Sequence, residues 1–358
     1  MSATPNHAVF IDPSSDHFLE DRLFDTSNPT LNRDGTLLPF ARLREHLQAH
    51  GIPVHTADRL RDGSVKARTN HYWSLGLLNG HRSLAGRADV RLRGFILLEP
   101  PLVAPWMYRA LPELANTFEQ VFLHNTLGDG YEIAGVPRPR LAKLHWPQPY
   151  ADASEPHWSR TDRQSKLVVI AGLHNPRRRK PEFYSSRIEA VGALEPLGAV
   201  DLYGRGWERW WTRQAASPAY WLHRRAIRST YRGSCASKMD TLSQYRFSLC
   251  FENMPMLGYV TEKIFDCLYA GTVPVYLGAP DISTLIPPQA YIDMRDFGSN
   301  DYAAMWASVS AMTDAEWQRR REAGRDFLRT AGKTLYHDSL VNIVATSIDG
   351  LPAAGRRD

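Results

Sequence analysis

The amino-acid sequence predicts an α/β protein of two domains, each with strands and helices alternating in a doubly wound arrangement. Three observations indicate this. The chain has 358 residues, enough for two domains with separate cores. Short apolar runs alternate with segments whose apolar residues recur at helical spacing. A proline-rich, polar stretch without apolar periodicity, residues 145–164, lies between the halves.

The first half carries the elements of one such domain. Strands are predicted at residues 8–11, 52–54, 94–98 and 120–123, and helices at 37–50 and 104–114. Glu99 directly follows the strand 94–98 and precedes two prolines. Because open α/β sheets bind ligands beyond the carboxyl ends of their strands, Glu99 is a candidate site residue. A solvated loop residue is an equally good interpretation.

The second half repeats the alternation. Strands are predicted at residues 167–172, 199–204, 247–251 and 273–277, and helices at 182–194, 261–270 and 314–330. The basic stretch 206–238 has no clear assignment. Its tryptophans are interpreted as packing residues, with stacking on sugars as the alternative, and they are Trp207, Trp210, Trp211 and Trp221. We therefore expect an N-terminal domain at 1–150, a linker at 151–165, a C-terminal domain at 166–330 and a tail at 331–358, with room for a helix returning to the N-terminal domain.

Composition narrows the class of protein without naming a function. Hydrophobic residues make up 43% and charged residues 23%, which is typical of globular proteins, and the formal charge of +5 favours anionic partners. The three cysteines form no paired motif, which indicates a reducing compartment. With neither a secretory signal nor an apolar run of about 20 residues, we expect a cytoplasmic protein, free or peripheral at the inner membrane.

The segment from Phe251 to Gly278 contains the candidate ligand-binding residues. Asn253 leaves a strand, Tyr259 lies in the following loop, and Glu262 and Lys263 open a helix. A helix N-terminus offers unpaired N–H groups and partial positive charge to a phosphate, and Lys263 adds a full charge. An ionised Glu262 can accept hydrogen bonds from ribose hydroxyls. These residues therefore suit a nucleoside diphosphate, although an ordinary capped helix with a solvated lysine explains them equally well.

The same segment resembles the signature block of the α-1,3/4-fucosyltransferases of glycosyltransferase family 10. The resemblance is to a bacterial member of that family. The matching features are FEN at 251–253, TEK at 261–263, AGTVPVYLG at 270–278 and the strand ending in Asp296-Phe297. The resemblance implies a GT-B fold, in which two Rossmann-like domains face each other across a cleft. It places an acceptor site in the N-terminal domain and a GDP-sugar in the C-terminal domain.

The resemblance also implies roles for residues. Asn253, Tyr259, Glu262 and Lys263 would bind the donor, and an arginine after the preceding strand would hold its phosphates, a role carried here to Arg187. Without the resemblance, Arg187 is an ordinary surface residue of a helix. The implied reaction inverts the anomeric carbon. The sequence has neither a DxD motif nor a His/Cys cluster at metal-ligand spacing, so we expect no metal or cofactor. The base of the reaction would be a carboxylate of the N-terminal domain, for which Glu99 is the candidate.

Several alternatives remain open at this point. The expected activity moves a sugar, with L-fucose first, from GDP to a hydroxyl of a glycan or other acceptor. The same nucleotide-binding residues are also expected in a related transferase that uses another GDP-sugar. They are equally expected in a catalytically silent protein that binds a nucleotide-sugar or a glycan. The basic run 177–180 is interpreted as a solvated loop, and no nucleic-acid partner is expected.

Overall fold

The computed structural model describes residues 4–76, 80–174, 181–211, 218–298, 300–348 and 351–353. The chain divides into two compact units. The N-terminal unit comprises residues 1–149 and 334–358, and the C-terminal unit comprises residues 150–333. The basic run 177–180 lies outside the described residues.

The N-terminal unit contains a six-stranded parallel sheet. Its strands are β1 (His7–Asp12), β2 (Val54–Thr56), β3 (Thr69–Ser74), β4 (Val90–Ile96), β5 (Gln120–Leu123) and β6 (Leu141–Lys143), and its helices are α1 (Leu38–Ala49), α2 (Asp58–Arg61), α3 (Pro105–Arg109) and α4 (Leu111–Thr117). The sheet order is β2-β1-β3-β4-β5-β6. Separate apolar clusters contain side chains from alternate positions of β1: Ala8 and Phe10 join one cluster, and Val9 and Ile11 join another. This alternation is what a parallel sheet covered on both faces requires.

The C-terminal unit contains a five-stranded parallel sheet. Its strands are β7 (Gln164–Ile170), β8 (Val200–Tyr203), β9 (Tyr245–Phe251), β10 (Val273–Leu277) and β11 (Ile292–Asp293). Its helices are α5 (Tyr184–Leu194), α6 (Pro218–Thr230), α7 (Lys238–Leu242), α8 (Glu262–Ala270), α9 (Ile282–Leu285), α10 (Tyr302–Ser310) and α11 (Asp314–Arg329). The sheet order is β11-β10-β9-β7-β8. From β7 the chain goes to β8 on one side, and it then crosses back to β9 on the other side of β7. The strand order therefore reverses between β7 and β9. Each unit thus has the doubly wound, Rossmann-like topology.

The chain then returns to the N-terminal unit through a π-helical turn (Lys333–His337) and helix α12 (Ser339–Ala345). Leu340 and Val344 of α12 are buried in the same apolar cluster as Leu43 and Leu47 of α1. A guanidinium nitrogen of Arg42 also donates hydrogen bonds to the carbonyls of Gln148 and His337. This unit is therefore assembled from both ends of the chain.

Residues 151–165, predicted as a linker, are instead packed into the C-terminal unit. Trp158 is buried, and Arg163 Nη2 donates to the carbonyl of Ala270 at 2.7 Å. Gly271 ends α8 in the left-handed region (φ 68°), and a Cβ at that position would lie 2.9 Å from Trp158. The low apolar content of residues 151–165 does not predict this packing, because the contacts are made by a tryptophan, an arginine and backbone carbonyls.

Three further predictions differ from the structure. The strand predicted at 94–98 runs from Val90 to Ile96, because Arg91 and Arg93 interrupt its apolar pattern; Arg91 still pairs with His71 of β3, and the register shifts between Leu92 and Gly94. The helix predicted at 104–114 is divided into α3 and α4 at Ala110. The unassigned stretch 206–238 contains α6 and the first residue of α7. Among the described residues, no helix is both long and apolar enough to cross a membrane.

Candidate functional site

The predicted donor residues of the C-terminal unit come together beyond the carboxyl ends of β7 and β9, where the strand order reverses. Helix α5 follows β7 and carries Arg187, and α8 follows β9 and begins with Glu262 and Lys263. The backbone N–H of Phe183 donates to the carbonyl of Asn253 at 3.0 Å, which joins the start of α5 to the end of β9. Ligands of doubly wound sheets bind at this position.

A buried carboxylate, Glu252, organises the start of α8. It is completely inaccessible to solvent, and its Oε1 accepts from the backbone N–H of Thr261 at 2.8 Å. The Thr261 hydroxyl lies 2.9 Å from Oε2 of the same carboxylate. Thr261 occupies the N-cap position of α8 but makes no capping bond of its own. Glu252 therefore fixes the residue that begins the helix.

Lys263 completes this cluster with a positive charge. Its Nζ lies 3.2 Å from Oε2 of Glu252, donates to the Thr261 hydroxyl at 2.9 Å and lies 3.4 Å from Oε1 of Glu262. Burial alone would lower the pKa of Lys263, but the carboxylates of Glu252 and Glu262 outweigh it and raise that pKa. The ammonium group is thus held in its charged form at the N-terminus of α8.

Glu262 is the more accessible acid of this cluster. Its side chain is about one-third exposed (35%), whereas that of Glu252 is not exposed at all. Burial would raise the pKa of Glu262, but the charges of Lys263 and Lys238 prevail and lower it to about 2. An ionised, partly exposed carboxylate beside a cation can accept hydrogen bonds from ligand hydroxyls.

Hydrogen bonds connect Arg187 to Asn253 and Asn253 to Tyr259. Arg187 Nη2 donates to the carbonyls of Phe251 and Glu252, at 2.5 and 2.8 Å, and lies 3.2 Å from Oδ1 of Asn253. The amide of Asn253 in turn donates to the Tyr259 hydroxyl at 3.2 Å. Arg187 is only 6% exposed. Its observed contacts therefore hold the end of β9 and orient Asn253.

The sequence analysis overlooked two residues of this site. Glu252 stands between two residues of the quoted FEN motif, and its place inside that motif was the available signal. His174 follows β7, and its ring lies 5.5 Å from that of Tyr184. Burial of its ring and the charges of Arg187 and Lys263 lower the pKa of His174.

Glu99 lies in the N-terminal unit, three residues after the end of β4, and its side chain is half-buried. The backbone on either side of this position is fixed. The Leu98 carbonyl accepts from Nε2 of His124 at 2.8 Å, and the Glu99 carbonyl accepts from the Tyr108 hydroxyl at 3.0 Å. Burial is the main cause that lowers the pKa of His124 to about 4, so its ring is neutral near pH 7. Glu99 is thus a carboxylate on a fixed loop beyond the carboxyl edge of the sheet.

Comparison with known proteins supports the resemblance seen in the sequence. Residues 173–319 match the model of the glycosyltransferase family 10 (fucosyltransferase) C-terminal domain. The matched residues lie within the C-terminal unit. The family 10 segment contains all five predicted donor residues together with Glu252 and His174.

Individual relatives match the chain over shorter segments. The alpha-(1,3)-fucosyltransferase FucT of Helicobacter pylori is 40% identical over 78 residues, 22% of this chain and 16% of the relative. Human alpha-(1,3)-fucosyltransferase 7 is 42% identical over 106 residues, 28% of this chain and 30% of the relative. The Arabidopsis thaliana alpha-(1,4)-fucosyltransferase is 45% identical over 116 residues, 31% of this chain and 26% of the relative. The matches thus span less than a third of each relative's length.

Solved structures resemble the chain over most of its length. An alpha1,3-fucosyltransferase crystallised with GDP has a TM-score of 0.51 at 14% identity, covering 91% of this chain and 84% of the other. A sucrose-phosphate synthase from Thermosynechococcus elongatus has a TM-score of 0.58 at 9% identity, covering 94% and 96%. At such low identities the likeness shows the fold, which is the predicted GT-B class built from two Rossmann-like domains.

Proposed function

We propose that the protein is an inverting glycosyltransferase that moves a sugar, with L-fucose as the first candidate, from a GDP-sugar to a hydroxyl of a glycan or other acceptor. The main support is the buried cluster of Glu252, Thr261 and Lys263 at the strand-order reversal of a family 10 domain. This cluster holds a charged ammonium group at a helix N-terminus. A diphosphate leaving group requires positive charge in that position.

Each donor residue has a role in this proposal. Lys263 and the N-terminus of α8 stabilise the diphosphate, Glu262 accepts from the ribose hydroxyls, and Asn253 and Tyr259 bind phosphate oxygens. Arg187 contributes charge and holds Asn253 in place. Because these side chains supply the positive charge, the proposed reaction requires neither a metal nor a cofactor. Transfer that continues undiminished in excess EDTA would agree with this, whereas restoration by added Mg²⁺ would contradict it.

The proposed chemical step is a displacement at the anomeric carbon. The acceptor oxygen forms a bond to that carbon as the bond to the β-phosphate oxygen breaks, and GDP leaves with the electron pair. A carboxylate takes the acceptor hydroxyl's proton, for which we propose Glu99. Attack opposite the leaving group inverts the configuration.

A panel of GDP-, UDP- and dTDP-sugars tests the donor assignment. We expect thermal stabilisation by GDP-sugars, since a ligand that binds only the folded state raises its melting temperature. GDP release from GDP-fucose, with and without acceptors, then separates an enzyme from a silent binding protein. Stabilisation by UDP-sugars alone would contradict the proposed donor. A GDP-mannose preference would retain the reaction type but exclude fucose.

Replacing Lys263 with glutamine is expected to weaken GDP binding at least tenfold. The substitution removes a charge-assisted contact to the diphosphate, worth about 1.5–3 kcal/mol. Titration calorimetry with GDP measures the effect. Lys333, which lies outside the donor cluster, provides the control, and Lys333→Gln should bind GDP normally. Equal affinity for GDP in the Lys263 variant and the control would exclude Lys263 from the donor site.

His174 is expected to make donor binding stronger as the pH falls from 8 to 6. Burial of the ring and the charges of Arg187 and Lys263 lower the pKa of His174 in the unliganded protein, whereas a bound diphosphate would raise it. The complex therefore binds more protons than the unliganded protein, and lower pH favours the complex. Titration of GDP-fucose in two buffers of different ionisation enthalpy measures the proton uptake. His174→Gln should abolish that uptake, and unchanged uptake in this variant would contradict the assignment.

A further inference from the structure

Three tryptophans and a leucine of the C-terminal unit are exposed, although the sequence pattern favoured packing roles for the tryptophans. The exposed fractions are 41% for Trp210, 47% for Trp211, 46% for Trp221 and 80% for Leu222. The rings of Trp210 and Trp221 are 5.4 Å apart, so two segments of the chain form one surface. Trp207, the fourth tryptophan of this stretch, is buried as predicted.

This surface is also strongly basic. Its described residues, 205–211 and 218–230, contain five arginines and a single acid, Glu208. The guanidinium carbon of Arg209 lies 4.6 Å from the ring centre of Trp211, and that of Arg224 lies 5.3 Å from the ring centre of Trp221. We define the aromatic-basic patch by its eight exposed residues, which are Arg209, Trp210, Trp211, Trp221, Leu222, Arg224, Arg225 and Arg228.

The patch stands on a well-packed base. Helix α6 buries Tyr220, Ala226 and Ile227 while exposing the five patch residues that it carries, from Trp221 to Arg228. The Tyr220 hydroxyl donates to the Trp207 carbonyl at 3.1 Å, and Trp207 Nε1 donates to the carbonyl of Ala171 at 2.6 Å. The aromatic side chains are thus displayed outward by a helix that already has a buried face.

We propose that the aromatic-basic patch docks on a lipid surface rich in anionic headgroups. Tryptophan is enriched at membrane interfaces, where its indole is partly in the apolar layer, and Leu222 extends the apolar contact. The arginines complement negatively charged lipid phosphates, each strengthening binding about fivefold near such a surface. A sugar-binding surface would instead need several acceptors for hydroxyl hydrogens beside the rings, whereas the guanidinium groups only donate and Glu208 is the single carboxylate among the described residues of this stretch.

Sedimentation with vesicles tests this proposal. The full chain is expected to bind vesicles of equal phosphatidylglycerol and phosphatidylcholine, bind phosphatidylcholine alone at least tenfold more weakly, and dissociate as salt increases. The double variant Trp221→Ser/Leu222→Ser should lose at least tenfold in affinity for the anionic vesicles. The double variant Arg224→Gln/Arg225→Gln should lose about fivefold per arginine. Leu127→Ser provides the matched control, since Leu127 is 65% exposed in the N-terminal unit.

A second measurement separates docking from misfolding and from the proposed transfer reaction. Stabilisation by GDP should be the same in the patch variants as in the wild-type protein, because none of the substituted residues lies in the donor site. If the wild-type protein failed to bind anionic vesicles, or if the patch variants bound them equally well, docking by this surface would be excluded. Stabilisation by free oligosaccharides that the patch variants lose would identify a glycan site instead and overturn the lipid assignment.

Discussion

Replacement of Glu99 by glutamine is expected to lower sugar transfer by about two orders of magnitude while leaving GDP binding unchanged. A general base contributes roughly 10²–10⁴-fold to such reactions, and the amide cannot accept the acceptor's proton. The substitution preserves the size of the side chain, and the backbone contacts to His124 and Tyr108 do not involve the carboxylate. The loss should therefore appear in kcat rather than in the affinity for the donor.

Single-turnover transfer from GDP-fucose and calorimetry with GDP measure the two effects separately. Glu113, an acid whose side chain is 64% exposed in the same unit, provides the control, and Glu113→Gln should transfer at the normal rate. Near-normal turnover of Glu99→Gln would assign the base to another residue. Loss of GDP binding together with turnover would instead indicate a structural role for Glu99.

The sequence predicted the C-terminal sheet well because its strands are continuous apolar runs. Strand β10 occupies residues 273–277 as expected, and α8 begins one residue later than predicted. The candidate donor residues converge because the ends of β7 and β9 are neighbours in a doubly wound sheet. This convergence could be inferred from the alternation of elements alone, without knowing any side-chain contact.

Polar packing was the part that sequence patterns could not reveal. Residues 151–165 contribute Trp158 and Arg163 to the C-terminal unit without any apolar periodicity. The tryptophans of 207–221 separate into buried Trp207 and three exposed rings, a difference that composition does not encode. Glu252 was overlooked for the same reason, since a buried acid is recognisable only when its partners are known.

Replacement of Glu252 by alanine is expected to destabilise the C-terminal unit by about 3–5 kcal/mol. Removing one partner of a buried ion pair leaves the other charge uncompensated, which costs about this much. Here the backbone N–H and hydroxyl of Thr261 also lose their acceptor, and Lys263 loses the closer of its two carboxylates. Glu252→Gln retains an acceptor for Thr261 and should therefore lose less stability than Glu252→Ala.

Urea unfolding of the full chain, together with hydrogen exchange of the peptide that contains α8, measures this loss. Exchange should accelerate most in the first turn of α8, where the Glu252 carboxylate holds Thr261. The double variant Glu252→Ala/Lys263→Ala should recover part of the lost stability, because it removes the stranded charge. Glu322→Ala, at an exposed acid on α11, should change the free energy of unfolding by no more than about 0.5 kcal/mol. A Glu252→Ala protein as stable as that control would show that the buried carboxylate does not hold the start of α8, and the proposed diphosphate site would lose its structural basis.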